Sequence, residues 1–513
     1  MLPRGATRRR TFVGLALFGF AMTFVWSLVM PNLSGPDENL HLDLVHEMAH
    51  EHYDPLSEQY RVTQRVVNVR KLVRHGTEFG HNSLVSDAVP RQDRPAFTAG
   101  EDRRGSTNQL TQHPPLGWTA PVVGAWLVSL VSDPADWSYD SYLLLLRFFT
   151  ALPMLCVGPL IYATAKRLHQ SHAVCLTAAI LPFAIPQLTY DSGVITNDTL
   201  LIVAGAAFAY LAARIVTRDF SVRTGVWLGI VIGLALLMKA WGLLLMPTAA
   251  FLYGALWLRT AASRREIWRS CRSAAVVALG VGGWWWVRNV IVYGEIQPHR
   301  AVLKAAPDGY VPLSYQVWAP RVMGWLLHRF WGWFGPFGER VLIPGWVAVG
   351  ASVLAVALIT LTFVSARSPG IRLFGIAAVG LVVVNSLEVL RQARALHVEH
   401  ALMQGVQGRY LFIVVPMLCV LVAVGAGSVA RDASRYLPWA GLAGVFVMQA
   451  FGLTSVVANY WGAKNAGLID RFRSLASWSA LPPAVFVVVC CALLAAAAWV
   501  VIDFRPGRLE EPS

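Results

Sequence analysis

Residues 12–41, FVGLALFGFAMTFVWSLVMPNLSGPDENLH, join a long apolar run to two adjacent carboxylates, Asp37 and Glu38. The apolar part, residues 12–30, falls within the length of about 17–25 residues that a transmembrane helix needs. Charged groups this close to hydrocarbon are costly unless they have partners or a task. The two acids are therefore a candidate functional site at a membrane surface, and the alternative is a charged cap that simply ends a span.

The composition of the 513-residue chain excludes an ordinary soluble domain, since 56% of its residues are hydrophobic and only 14% are charged. Its net charge of +14 is spread over short loops, as expected of cytoplasmic tethers beside anionic lipid. Membrane lipids are thus expected partners, and nucleic acid is not. The six cysteines match neither a disulfide framework nor a zinc site.

Twelve apolar segments of about transmembrane length predict an all-α polytopic membrane protein. They lie near residues 12–30, 141–165, 172–190, 194–216, 223–238, 241–258, 274–292, 341–365, 371–390, 409–430, 435–458 and 481–502. A further apolar stretch, 114–131, contains three prolines and would bring the number to thirteen if it crossed the bilayer. If it does not cross, the basic loops share one side with the N-terminal arginines, as the positive-inside rule requires. We therefore interpret 114–131 as lying in the interface.

The predicted topology divides the chain into six regions. They are the cytoplasmic N-terminus and first span (1–30), a first extracytoplasmic loop (31–140), the rest of a transmembrane module (141–292), a second extracytoplasmic loop (293–340), C-terminal transmembrane helices (341–502) and a cytoplasmic tail (503–513). Within the first loop, residues 37–52 and 58–74 have the pattern of amphipathic helices. In the first of these, Asp37 and His41 share one face.

This topology also brings polar residues from distant parts of the chain to the outer face. They are Asp37, Glu38, Tyr190, Asp191, Asn197, Asp198, Lys239, Arg288, Asn289, Arg409 and Tyr410. The planar fork of arginine suits paired phosphate oxygens, so Arg409 and Arg288 are the first candidates for binding a phosphate group. Lys239, and Arg147 roughly 10 Å inside its span, are further candidates. Each of these cations is otherwise a snorkelling side chain or a membrane anchor.

An ordered set of motifs resembles the integral-membrane glycosyltransferases of the GT-C class. The motifs are Gly35-Pro36-Asp37-Glu38 with His41, Gln112-His113-Pro114-Pro115-Leu116, Tyr190-Asp191-Ser192 with Asn197-Asp198, Trp286-Val287-Arg288-Asn289 with Tyr293-Gly294, and Gln407-Gly408-Arg409-Tyr410. The similarity covers most of the chain. It is to a bacterial branch related to protein O-mannosyltransferases and to the aminoarabinose transferase of lipid A.

The resemblance implies transfer of a sugar from a polyprenyl-phosphate donor to a glycan, lipid or protein acceptor outside the cytoplasmic membrane, in cell-envelope biosynthesis. It implies that 293–340 is a mobile loop and that the first-loop acid is the base. The predicted substrate-binding residues are His41, His113, Arg147, Asp191, Asn197, Asp198, Lys239, Arg288, Arg409 and Tyr410. Members of the class carry an Asp-X-Asp in an outer connection, whereas this chain has only Asp191 and Asp198 before its fourth predicted span. No metal site is therefore predicted, and a divalent cation (Mg, Mn or Ca) is left open.

The chemistry of the implied reaction can be reasoned separately. Displacement of phosphate from an anomeric carbon passes through an oxocarbenium-like state, and the attacking hydroxyl must lose its proton to a base. Asp37 is the predicted base, with inversion at the anomeric carbon. Glu38 points about 100° around the helix and is predicted to orient the acceptor or to support the structure. The reverse assignment stays open.

Two other function classes compete with this prediction. His46-Glu47-Met48-Ala49-His50 matches the helical zinc motif of metalloproteases, and His75, His81 or His113 would supply a third ligand. That interpretation leaves the Arg-Asn and Gly-Arg-Tyr motifs unused. A transporter of lipid or sugar is the other alternative, but such proteins usually show inverted repeats and polar groups near the midplane. The sequence shows no such repeat.

Overall fold

The computed structural model describes residues 4–50, 60–73, 91–97, 105–133, 136–298, 303–335, 341–461 and 465–503. The α-helices of this part of the chain are α1 (Arg4–Val29), α2 (Glu38–Ala49), α3 (Gln64–Leu72), α4 (Thr119–Ser129), α5 (Tyr139–Ala151), α6 (Val157–Arg167), α7 (His172–Ile180), α8 (Pro186–Gly193), α9 (Asp198–Val216), α10 (Val222–Leu236), α11 (Leu245–Arg259), α12 (Arg264–Ala278), α13 (Trp284–Tyr293), α14 (Tyr315–Trp331), α15 (Gly345–Ser365), α16 (Pro369–His400), α17 (Val415–Ala430), α18 (Leu437–Tyr460), α19 (Leu468–Trp478) and α20 (Pro483–Asp503). Strands β1 (Trp333–Phe334) and β2 (Val341–Leu342) pair antiparallel. The all-α prediction is confirmed.

Within the described ranges, eight helices are long and apolar enough to cross a membrane, or up to ten if two bent helix pairs each count as one span. Each of the twelve predicted segments coincides with one of these helices or pairs or with the shorter apolar helices α10 and α17. The segment predicted at 172–190 is a broken span, because α7 and α8 meet at 67°. Pro182 and Pro186 lie at this break, where proline removes helical hydrogen bonds.

The stretch 114–131 contains α4, a helix of 11 residues. At 1.5 Å per residue it is about 16 Å long, roughly half the hydrocarbon thickness. Trp126, Leu127 and Leu130 on this helix or at its end are exposed, as expected of an apolar face against lipid. The length of α4 agrees with the predicted interfacial placement.

The first loop has its own apolar core, separate from that of the transmembrane helices. Leu42 and Val45 of α2 pack in it with Val66 of α3 and with Trp118 and Tyr142. Burial of these side chains supplies the main stabilising term for the loop. This small core fixes α2, and with it the acidic motif, over the end of the helical bundle.

The two ends of the bundle carry different polar groups. Asp198 begins α9, whereas Arg214 lies in its last turn, about 24 Å away along the helix axis. At the Arg214 end, Arg214 pairs with Asp219 at 2.6 Å, and Arg167 lies 4.0 Å from the same carboxylate. The acids and cations predicted for the outer face lie at the Asp198 end.

Candidate active site

The acidic motif folds as a tight turn between α1 and α2. Leu33 and Asp37 have left-handed backbone conformations, with φ of 55° and 56°. Such conformations cost energy in residues other than glycine and cluster at functional sites. Gly35 is required for close packing, since a Cβ there would lie 2.8 Å from Val194 Cγ2. The turn places Asp37 at the N-cap of α2.

Glu38 and Arg147 form a buried ion pair beneath this turn, with side chains 0% and 1% exposed. Arg147 Nε donates to Glu38 Oε1 at 2.7 Å, and Nη2 donates to Oε2 at 2.8 Å. Their other partners are the carbonyl oxygens of Ser27, Met30 and Pro31 and the backbone N–H groups of Gly35 and Ile195. Because these contacts occupy both side chains, the geometry favours a structural role. This agrees with the structural alternative predicted for Glu38, and it disfavours the reverse assignment of Glu38 as the base and the phosphate-binding role predicted for Arg147.

Asp37, Asp198, Lys239 and Arg409 form one ion-pair network, which we call the acid–cation cluster. Lys239 Nζ donates to Asp198 Oδ1 at 2.6 Å, and Arg409 Nη2 donates to Asp37 Oδ2 at 3.2 Å. Arg409 Nε lies 3.6 Å from Asp198 Oδ2. Asn197 Oδ1 accepts from Lys239 Nζ at 3.3 Å. The fold thus brings together five of the predicted site residues.

Exposure separates the members of the acid–cation cluster. The side chains of Asp198, Lys239 and Arg409 are 3–7% exposed, whereas that of Asp37 is 36% exposed. Because about a third of its side chain is exposed, Asp37 is the member that a molecule outside the protein can contact. The other three side chains are buried behind it, where charges interact more strongly than in water.

Tyr410 and Trp241 form an aromatic wall beside the cluster. Their ring centroids are 4.7 Å apart and the planes are inclined by 29°. Lys239 Nζ lies 5.4 Å from the Tyr410 ring centroid, a cation–π distance. The turn that carries Tyr410 packs closely on α14, because a Cβ on Gly408 would lie 2.2 Å from the Arg329 carbonyl carbon.

Asp191 on α8 has a half-satisfied carboxylate. Its Oδ1 accepts from Gln187 Nε2 at 3.1 Å, whereas its buried Oδ2 has no hydrogen-bond partner among the described residues. Asp191 interacts electrostatically with Arg409 and Asp198. A buried oxygen without a partner marks a position where a ligand hydroxyl can donate. Asp191 therefore remains a candidate for substrate binding.

The second outer loop is attached to α8 and to the acidic turn. The backbone N–H of Trp333 donates to Gln187 Oε1 at 2.6 Å, and that of Gly335 donates to the Tyr190 hydroxyl at 3.1 Å. The Tyr190 hydroxyl in turn donates to the Ser34 carbonyl at 2.8 Å. Residues 333–335 of this loop thus lie against α8 through defined hydrogen bonds.

Arg329 is a buried cation near the cluster that the sequence analysis did not single out. Its Nη1 donates to the Val406 carbonyl at 2.6 Å, and its guanidinium carbon lies 4.6 Å from the Trp333 ring centroid. It interacts electrostatically with Arg409. The available signal was its place in a tryptophan-rich run, where arginine often stacks on indole rings.

His41 is held as a neutral hydrogen-bond donor. Trp118 Nε1 donates to His41 Nδ1 at 2.7 Å, and an indole N–H can only donate. Nδ1 therefore carries no proton, and the proton of the neutral imidazole is on Nε2. Burial, followed by the charges of Arg409 and Lys239, holds the pKa of His41 well below its usual value. The Trp118 contact was not foreseen from the sequence.

His113 is a second neutral histidine of the site. Its Nδ1 is buried, and no described residue forms a hydrogen bond with it. Burial lowers the pKa of His113 to about 3, and the Lys239 charge acts in the same direction. Both imidazoles therefore avoid adding positive charge beside Lys239 and Arg409.

Arg288 does not join the acid–cation cluster. Its guanidinium donates to Asn289 Oδ1 at 3.1 Å and to the Tyr293 hydroxyl at 3.2 Å, and it lies 4.9 Å from the Trp285 ring centroid. All three partners belong to α13. Among the described residues Arg288 has no ion pair. The geometry therefore does not support the phosphate-binding role predicted for it.

An open apolar groove has a volume of about 350 Å³, and no member of the acid–cation cluster lines it. It is lined by Met48, Pro115, Leu116, Thr119, Val122, Leu237 and Trp284. The backbone connects it to the site, because Leu116 N donates to the Leu237 carbonyl at 3.1 Å and Leu237 lies two residues before Lys239. The groove lining suits a hydrocarbon chain.

The donor atoms of the described residues do not suit a bound metal ion. No three His, Cys, Asp or Glu side chains in these ranges are arranged to hold one, and Asp37 and Asp198 already pair with Arg409 and Lys239. In the zinc motif, His46 Nδ1 lies 3.1 Å from the Tyr142 hydroxyl, and His50 Nδ1 lies 2.7 Å from the His46 carbonyl. Of the suggested third ligands, His75 and His81 lie outside the described residues.

We expect the contribution of His41 and His113 to the free energy of unfolding to fall as the pH drops below about 6.5. An unfolded chain takes up protons on both histidines in this range, whereas the folded protein excludes them, so their contribution is complete above this pH and is lost progressively below it. Each excluded proton lowers the free energy of unfolding by up to about 1.4 kcal/mol per pH unit. Burial raises the pKa of Asp43 to about 6, which acts in the opposite direction, so the histidine contribution is measured as a difference. The difference in thermal stability in detergent between wild type and a His41→Asn, His113→Asn double variant should shift against wild type as the pH drops. Identical pH profiles for the two proteins would contradict the prediction.

The fold of this protein is similar to that of ArnT, an integral-membrane protein of known structure. The crystal structure of ArnT from Cupriavidus metallidurans in the apo state matches with a TM-score of 0.50 and 17% identity, covering 97% of this chain and 75% of that chain. The structure of ArnT from the same organism bound to undecaprenyl phosphate matches with a TM-score of 0.47 and 17% identity, covering 97% of this chain and 76% of that chain. At this identity the similarity establishes the fold. The predicted resemblance is therefore confirmed at that level.

The chain belongs to the membrane protein family DUF2142, described as "Predicted membrane protein", whose model matches residues 20–418. The matched range includes every member of the acid–cation cluster. No curated protein matches the chain significantly in sequence.

Proposed function

We propose that this protein is a glycosyltransferase that moves a sugar from a polyprenyl-phosphate donor to an extracytoplasmic acceptor of the cell envelope. The observation that carries the proposal is the acid–cation cluster, in which an accessible carboxylate lies beside two buried cations at one end of the bundle. The acceptor class is a glycan, a lipid or a protein. The proposed location is the bacterial cytoplasmic membrane, with the site facing outwards.

On the donor side, Arg409 and Lys239 provide positive charge for the leaving phosphate. Fixed cations stabilise charge that develops on a leaving group, and they act most strongly where water is excluded. The apolar groove that Leu237 lines, two residues before Lys239, offers a surface for the first isoprene units of the lipid. A site that combines an apolar groove with buried cations fits a lipid phosphate better than a water-soluble nucleotide sugar.

On the acceptor side, Asp37 accepts the proton of the attacking hydroxyl. It is the accessible acid of the cluster, and general-base catalysis requires a carboxylate within hydrogen-bond reach of that hydroxyl. His41 Nε2, Asp191 and Asn197 supply neutral or anionic partners for sugar hydroxyls. Attack from the face opposite the phosphate inverts the anomeric centre.

Neither alternative class uses this arrangement. A transporter needs polar groups along a path through the bilayer, whereas the cluster lies at one end of the bundle. A zinc protease needs His46 and His50 on a metal, whereas His46 is engaged with Tyr142. The glycosyltransferase proposal accounts for the acids, the cations and the apolar groove together.

Arg409→Ala should weaken binding of undecaprenyl phosphate to the purified protein by about 10-fold to 100-fold. This range corresponds to the roughly 1.5–3 kcal/mol of a hydrogen bond to a charged group. Arg214→Ala is the matched control, because it removes a paired arginine at the opposite end of the bundle. Binding is measured by native mass spectrometry or by thermal shift in detergent. Unchanged affinity of a folded Arg409→Ala protein would argue against the proposed donor site.

A further inference from the structure

The ion pair between Asp37 and Arg409 joins two groups that the proposed reaction needs on opposite sides of the substrate. An inverting attack places the base on one face of the anomeric carbon and the leaving phosphate on the other. In inverting glycoside hydrolases the two catalytic carboxyl groups are about 6.5–9.5 Å apart for this reason. Here Asp37 Oδ2 and Arg409 Nη2 are 3.2 Å apart. Base and phosphate-binding cation therefore cannot stay paired while a sugar lies between them.

The hydrogen-bonding capacity of Arg409 is only partly used. Its Nε is buried and has no hydrogen-bond partner in the part of the chain that the structure describes, where an Asp198 carboxylate oxygen lies 3.6 Å away. A guanidinium offers five N–H donors in a planar fork that matches two oxygens of a phosphate. The contact with Asp37 is a single hydrogen bond to a partly exposed carboxylate. A phosphate group would satisfy more of these donors than Asp37 does.

Pairing with Arg409 also occupies Asp37, whose Oδ2 accepts from Arg409 Nη2 at 3.2 Å. While the pair persists, one oxygen of Asp37 is occupied and the carboxylate is held against the wall of the site. Loss of the pair would leave both oxygens free for an acceptor hydroxyl.

We propose that Arg409 exchanges partners when the donor binds. Arg409 breaks its contact with Asp37 and binds the phosphate oxygens of the polyprenyl-phosphate sugar. Donor binding then releases the base, so the site becomes competent for proton removal only when a leaving group is in place. The donor binds before the acceptor is activated. This inference rests on the proposed function and adds the order of events at the same site.

The exchange predicts that removing the charge of the base strengthens donor binding. Asp37→Asn should bind undecaprenyl phosphate about twofold to tenfold more tightly than wild type, because the phosphate no longer displaces a carboxylate from Arg409. Asparagine is also suited to an N-cap and to left-handed backbone, so the turn is retained. A general electrostatic effect of removing one negative charge would produce a gain as well, and a second background is needed to separate the two.

Arg409→Ala supplies that background in a double-mutant cycle. If Arg409 exchanges partners, Asp37→Asn improves binding in the wild-type background and has no effect when Arg409 is absent. Equal gains in both backgrounds, or no gain in either, would overturn the exchange while leaving the proposed donor site standing. Failure of the wild type and of every variant to bind undecaprenyl phosphate would contradict the proposed function, and the exchange with it. Inorganic phosphate is run in parallel, and equal affinity for it would assign the site to free phosphate.

Discussion

Asp37→Asn is expected to abolish sugar transfer while the protein remains folded. A positioned general base contributes about 10²–10⁴ in rate, and the amide cannot accept the proton of the acceptor hydroxyl. Asparagine keeps the N-cap and the turn geometry, so expression and thermal stability should change little. Transfer of labelled sugar from a polyprenyl-phosphate donor into an envelope fraction measures the effect.

The structure provides a control for this substitution. Asp219→Asn also removes a paired aspartate, but at the opposite end of the bundle, where Asp219 contacts Arg167 and Arg214. It should transfer sugar at nearly the wild-type rate. Full activity of Asp37→Asn would exclude Asp37 as the base.

Arg147→Met is expected to destabilise the protein by about 3–5 kcal/mol. The substitution leaves the carboxylate of Glu38 buried without its cation and removes the donors of three backbone carbonyl groups. Thermal unfolding in detergent and the fraction recovered as a monodisperse species measure the loss. The Glu38→Gln, Arg147→Met double variant should recover part of it, because no unpaired charge remains.

This pair of variants distinguishes the structural role from the roles predicted from the sequence. If Arg147 bound the donor phosphate, Arg147→Met would lose donor binding at unchanged stability, and Glu38→Gln would give no rescue. That combination would contradict our interpretation of the buried ion pair.

The sequence predicted the members of the acid–cation cluster because each lies at the end of an apolar segment. Asp37, Asp198, Lys239 and Arg409 could be assigned to one membrane face from the distribution of basic loops alone. Their contacts across the bundle are consistent with that assignment. The hydropathy pattern therefore indicates which polar residues share a membrane face.

The partner of each polar residue could not be predicted in the same way. Arg147 and Arg288 lie in or at the ends of spans like the other cations. Arg147 pairs with Glu38, whereas Arg288 contacts residues of its own helix. The difference depends on helix rotation and packing, which hydropathy does not encode. The Trp118–His41 hydrogen bond and the approach of Arg329 arise from the same tertiary packing.

The broken span at α7 and α8 shows a second limit. The segment 172–190 is predominantly apolar, so its hydropathy predicts one helix of transmembrane length. The 67° bend at Pro186 turns α8 towards the acidic turn and carries Asp191 and Gln187 into the site. Prolines marked the position of the break, but its angle follows from packing against neighbouring helices.

The most direct test of the account is transfer from a panel of polyprenyl-phosphate-linked sugars by the purified protein in liposomes, with an envelope extract as the acceptor source. We predict that wild type transfers label from at least one donor and releases polyprenyl phosphate, and that Asp37→Asn and Arg409→Ala do neither. Label transfer at the wild-type rate by both variants would contradict the central role of the acid–cation cluster. A wild-type protein that transfers no sugar and instead cleaves peptides with one bound zinc would contradict the proposed function itself.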